Sequence, residues 1–181
     1  EWARKGTELD PKSAVALTRL AWVKVFFREL GEANAIFEKA ISLDPENAEV
    51  RAYYAETLNF SGDPGAAIKH LEIAFRLDSL APPSWLFMLG HSNYLLGRHD
   101  DAITLMRQAV ERIPGLQLAQ LLLACLYVET GQADDAAEQV RIVLDATPQY
   151  TVRDADRIYP YLDDAVRTRF LDGLRRAGVP E

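Results

Sequence analysis

The apolar, small and polar positions of this chain recur with a fixed period. Pro11, Pro45, Pro114 and Pro148 are spaced 34, 69 and 34 residues apart, so the middle gap holds two units and one extra residue, Pro82. With these prolines at position 32, full units start at 14, 48, 83 and 117. Position 8 then holds Ala21, Ala55, Gly90 and Ala124, and position 20 holds Ala33, Ala67, Ala102 and Ala136. Two antiparallel helices approach to about 8–10 Å only where the side chains at their crossing are small. These columns therefore predict a pair of helices in each unit, meeting at positions 8 and 20. Larger residues surround the crossing: Leu20, Tyr54, Leu89 and Leu123 at position 7, and Phe37, Leu71, Met106 and Val140 at position 24.

Turn chemistry agrees with that period. Gly62, Gly97 and Gly131 stand at position 15, where the first helix must end and a left-handed residue is needed. The first unit departs, with Arg28 there and Gly31 three residues later. Asp100-Asp101 and Asp134-Asp135 open the second helix of their units, where carboxylates face the positive end of the helix dipole. The position-32 prolines stop each second helix, Ser79 replacing proline in the second unit, and Pro82-Pro83 opens the third.

This combination of small position 8, Gly 15, Ala 20, apolar 24, Ala 27 (Ala40, Ala74, Ala109) and Pro 32 resembles the tetratricopeptide repeat family. The resemblance spans residues 1–148, with residues 1–11 read as the second helix of a unit whose first helix is missing. It departs from the family at position 4 (Leu17, Arg51, Leu86, Gln120), where tryptophan is frequent, and at Val143 in column 27. It implies an all-α fold, a right-handed α-α superhelix, with residues 149–181 as C-terminal capping helices. One short helix is expected from Thr151 to Tyr159, ended by Pro160. Another is expected from Asp163 to Ala177, with Val166, Phe170, Leu171 and Leu174 on one face and Gly178 as a stop.

The tail, from Tyr159-Pro160-Tyr161 to Leu171-Asp172-Gly173-Leu174-Arg175-Arg176-Ala177-Gly178-Val179-Pro180, resembles the C-termini of bacterial class III adenylate/guanylate cyclases that carry such repeats. Related tails follow winged-helix domains of transcription regulators. The resemblance implies the C-terminal regulatory part of a larger bacterial signalling protein, with any enzymatic domain upstream of Glu1.

Composition narrows the function classes. A net charge of −7 without a stripe of Lys or Arg disfavours nucleic acid. The longest apolar runs, such as Leu121 to Val128, fall short of a bilayer span of about 20 residues. A single cysteine, Cys125, excludes an internal disulfide and fits a reducing, cytoplasmic compartment. His70, His91 and His99 have no Cys, His or carboxylate at the spacing of a paired helical metal site, so neither metal nor cofactor is expected. The recurring Asp pairs are explained by helix starts, and Cys125 with His91 is a remote candidate for a nucleophile pair. No catalytic residue is assigned.

By family resemblance, positions 2, 5, 6, 9, 12 and 13 of each first helix line a ligand groove. Here these positions give Arg19, Trp22 and Phe26, then Tyr53, Glu56 and Asn59, then Phe87, His91 and Tyr94: aromatic anchors interleaved with polar groups, suited to a peptide or helix of a protein partner. Trp22, Phe87 and Tyr94 serve equally well as core between repeats. The fourth unit is almost wholly apolar on this side (Leu118, Leu121, Leu122, Cys125), which predicts that the tail helix bearing Phe170 and Leu174 folds back over it. Position 6 holds Arg19, Tyr53, Met88 and Leu122 and never Asn, which disfavours the carboxylate clamp of chaperone-tail adaptors. The competing reading is a self-association segment, so the chain is expected as a monomer or homodimer.

Overall fold

The computed structural model describes residues 2–181, apart from the Arg4 side chain. Among the described residues there are eleven α-helices and no strand. They form two compact units, one ending at Ala81 and one beginning at Pro82.

The first unit holds α1 (Trp2–Leu9), α2 (Ala14–Phe26), α3 (Leu30–Leu43), α4 (Ala48–Ser61) and α5 (Pro64–Leu77). Helices α2 and α3, and then α4 and α5, are the antiparallel pairs. Ala21, Ala33, Ala55 and Ala67 are fully buried, with Phe37 and Leu71 filling the space beside them. Local chemistry sets the starts: Ser13, Asn47 and Asp63 accept from the amides of Ala16, Val50 and Ala66, and Pro64 occupies the first turn of α5.

The second unit holds α6 (Pro83–Leu95), α7 (His99–Arg112), α8 (Gln117–Glu129), α9 (Ala133–Ala146), α10 (Val152–Ile158) and α11 (Asp164–Ala177). Helix α6 crosses α7 at Gly90, where a β-carbon would lie 2.9 Å from Met106 Cγ and 3.3 Å from the Ala102 carbonyl. The one glycine in the position-8 column thus sits at a crossing too close for a β-carbon. Helix α10 begins with a capping box between Thr151 and Asp154, and α11 is capped by Asp163 and closed by Gly178 at φ 101°.

All four first-to-second-helix turns have one form. Gly62, Gly97 and Gly131 have φ of 90°, 72° and 78°, and Arg28 takes the same left-handed conformation at φ 60°. The amide after each donates five residues back: Glu29 to Lys24, Asp63 to Leu58, Arg98 to Asn93 and Gln132 to Tyr127. Gly31 plays no part in the first turn, because it already lies inside α3.

Candidate functional site

In the first unit, α2 and α4 bring together four of the residues named from the sequence. Trp22 stands edge-on to Phe26 at 5.6 Å and tilted against Tyr53 at 5.3 Å between ring centroids. Phe26 is 55% exposed, Arg19 is exposed, and Trp22 and Tyr53 are half-buried. Beside them runs an open cleft of ≈ 550 Å³, lined by Trp2, Ala3 and Gly6 of α1 and by Ala16, Arg19, Trp22 and Val23 of α2. The lining is mostly apolar, with Arg19 as the charged residue among these.

Glu56 and Asn59, expected as polar guides on that face, are buried instead, and Asn59 Nδ2 donates to Glu56 at 3.0 Å. A carboxylate at 2% exposure serves the interior rather than an incoming ligand. The remaining three, Phe87, His91 and Tyr94 of α6, are also buried, in the second unit.

The chain's own C-terminal segment covers them. The Tyr161 hydroxyl and His91 Nε2 are 2.8 Å apart, and Phe87 stacks on His91 with centroids at 5.9 Å. Arg169 of α11 lies 4.4 Å over the Tyr94 ring and donates to the Tyr94 carbonyl. Its Nε and Nη2 donate to the Glu129 carboxylate at 2.7 and 2.6 Å, with His99 Nε2 3.3 Å from Nη2. This is a fork-on-fork pair, and the Glu129 carboxylate holds the Arg169 guanidinium above its ordinary pKa. On α8, Leu121 and Cys125 are fully buried and Leu118 is half-buried. Burial pushes the Cys125 thiol far up, the nearby Glu129 charge adds to this, and Arg169 opposes it. Cys125 donates a weak hydrogen bond to the Phe170 carbonyl at 3.5 Å, and its thiol is unsuited to nucleophilic work.

Sequence reasoning placed Phe170 and Leu174 on α8 but missed Arg169, Tyr161 and Gly173. One signal was available: Glu129 is a lone carboxylate on an otherwise apolar helix face, and such a group requires a cation.

Among the described residues, no group of three or more His, Cys, Asp and Glu side chains is placed to hold a metal ion. Among the described residues, no helix is long and apolar enough to cross a membrane.

A family model described as tetratricopeptide repeat matches residues 28–78 and 94–155, and a second with the same description matches residues 60–116. No curated protein matches. Among solved structures, a thermophilic TPR protein of Thermus thermophilus superposes with a TM-score of 0.70 at 20% identity, over 96% of this chain and 87% of that one. PilW, a type IV pilus biogenesis factor, gives a TM-score of 0.70 at 17% identity, covering 97% and 78%. YrrB, described as a TPR protein with an unusual peptide-binding site, gives 0.58 at 22% identity, covering 98% and 91%. At these identities the likeness is one of fold.

Proposed function

Because the chain belongs to the tetratricopeptide repeat family, we propose that it is an interaction module that holds a peptide or short helix of a protein partner on the α2–α4 aromatic face. The observation that carries this reading is the cluster of Arg19, Trp22, Phe26 and Tyr53, which stays accessible while Phe87, His91 and Tyr94 are covered. Half-buried and exposed aromatic side chains beside a mostly apolar cleft that Arg19 helps to line suit a ligand with an apolar anchor and a nearby carboxylate. A repeat scaffold of this kind works by binding, and no catalysis is assigned to the segment.

The tail's resemblance to cyclase C-termini supports a place in a larger bacterial signalling protein, with the partner in another protein or in an upstream domain. A second reading, self-association, is favoured by one specific observation: the second unit already binds a helix on α6 and α8.

The test is selection of short random displayed peptides on the intact chain, followed by titration of the selected peptide against Trp22→Ala and Arg19→Glu. The proposal expects each change to weaken binding about tenfold or more with the helical content unaltered. A selected peptide that binds both variants as tightly as the parent contradicts it.

A further inference from the structure

The repeat builds a seat for a helix wherever a second helix is followed by the first helix of the next repeat. The second helix is the floor of the seat and the following first helix is its wall. In the first compact unit α2 lies against both α3 and α4, and in the second α6 lies against both α7 and α8. Floor and wall are shielded from solvent in both. At positions 24 and 27 of the floor, Phe37 and Ala40 of α3 and Met106 and Ala109 of α7 are fully buried, as are Thr57 and Leu126 at position 10 of the wall.

Helices α1 and α2 build the same seat again. Counted back from Pro11 at position 32, Ala3 and Gly6 hold positions 24 and 27 of α1, and Val23 holds position 10 of α2. All three line the ≈ 550 Å³ cleft, and here they are accessible: Ala3 and Gly6 are half-buried and Val23 is 40% exposed. Phe26, at position 13, is 55% exposed, whereas Phe60 in the same column of α4 is 5% exposed. Columns that meet a helix in the other two seats face solvent in this one.

Two features of this seat define what fits it. Its floor is low, because Ala3 stands where the other two carry Phe37 and Met106, and Gly6 stands where they carry alanine. Packing on α2 does not demand the glycine, since a β-carbon there would meet Ala16 Cβ at an ordinary 3.7 Å. Its wall is charged, because position 6 is Arg19, exposed, where α4 has Tyr53 and α8 has Leu122.

We propose that the α1–α2 seat docks an amphipathic α-helix of a protein partner, which lies there as α2 lies on α3 and α4. The occupant matches the 13-residue length of α2 and runs antiparallel to α1. It fills the space above Ala3 and Gly6 with a large apolar side chain and sets a carboxylate beside Arg19. Burial of Trp2, Val23 and Phe26, all exposed in the free chain, drives the docking. The inference rests on the interaction-module reading and makes it specific: the ligand is a helix rather than an extended peptide, and its direction is fixed.

The experiment displays two libraries of 13-residue peptides, the length of α2, to the intact chain. One randomises a single stripe on a helix-favouring background of Ala, Glu and Lys, and the other carries a central proline that breaks a helix. Selected peptides are titrated against the parent, against Ala3→Trp, which fills the floor, and against Val23→Glu, which puts a charge on an already exposed position of the wall. The proposal expects binders from the first library only, with helix gained on binding by circular dichroism. Each substitution weakens them about tenfold or more while the chain's own helical content is unaltered. A nitroxide at the C-terminal end of the bound peptide broadens the Trp2 indole signal more than one at its N-terminal end. Binders that carry the proline, or that hold both variants as tightly as the parent, overturn the inference; if Trp22→Ala still weakens them, the aromatic-face reading stands without it. Failure of both libraries overturns the two together. A parent chain that dimerises, and that Val23→Glu returns to monomer, gives the seat to a second copy and overturns the inference as well.

Discussion

Gly173 of α11 lies against Cys125 of α8 so closely that a β-carbon there would sit 2.7 Å from Sγ and 3.0 Å from Cβ of the cysteine. The glycine sits inside a helix, where it costs about 1 kcal/mol relative to alanine. Close approach of α11 to α8 is what it permits.

Gly173→Ala is therefore expected to destabilise the chain although it improves helix propensity. Overpacking costs about 1–3 kcal/mol, against about 1 kcal/mol gained from propensity. Cys125→Ala should recover part of the loss, because it removes Sγ. Urea denaturation of the two single variants and the double variant measures the coupling. Strictly additive effects contradict the contact.

Arg28 holds a left-handed backbone at the column where the other three turns use glycine. For a residue with a β-carbon this conformation costs roughly 1 kcal/mol or more. Arg28→Gly is expected to raise stability by up to about 1 kcal/mol, less what glycine adds to the entropy of the unfolded chain. An increase in the thermal midpoint checks it, and a clear decrease counts against it.

His70 is half-buried beside Tyr54, 4.8 Å between ring centroids, with a buried Nδ1 that has no hydrogen-bond partner. Burial first, and the Arg51 charge second, lower its pKa below the ordinary 6.5. A lowered folded value means that unfolding takes up a proton. The stability this group supplies is complete above about pH 6.5 and is lost as pH falls toward its folded value. Stability of the parent is expected to decline between neutral pH and pH 5, and His70→Gln to decline less. Identical slopes in the two chains contradict the assignment.

Much of the fold was legible because its determinants are local or periodic. Ala33, Ala67, Ala102 and Ala136 are all buried at helix crossings, as the 34-residue period requires. Asp163 and Gly178, read as the bounds of the last helix, act within a turn of their own position. The Arg28 turn was not legible, since its conformation follows from the Glu29-to-Lys24 hydrogen bond and not from residue type. The candidate face was legible only in part. Trp22, Phe26 and Tyr53 lie on one accessible surface, but the burial of His91 and Tyr94 depends on Tyr161 and Arg169, some 70 and 75 residues distant in sequence. Periodicity identifies the face of a helix and carries no information about which distant segment comes to rest on it.

The most direct test of that covering segment uses the lone cysteine as reporter. Cys125 is fully buried beneath Phe170 and Gly173, so its labelling by a thiol reagent under native conditions requires α11 to lift from α8. Removing the Arg169–Glu129 pair should ease that opening by about 1–3 kcal/mol, a value between those of exposed and buried ion pairs. The account predicts slow labelling of the parent chain and a roughly 10–100-fold faster rate in folded Arg169→Ala. Labelling of the parent at the rate of a free thiol, or equal rates in the two chains, would contradict it.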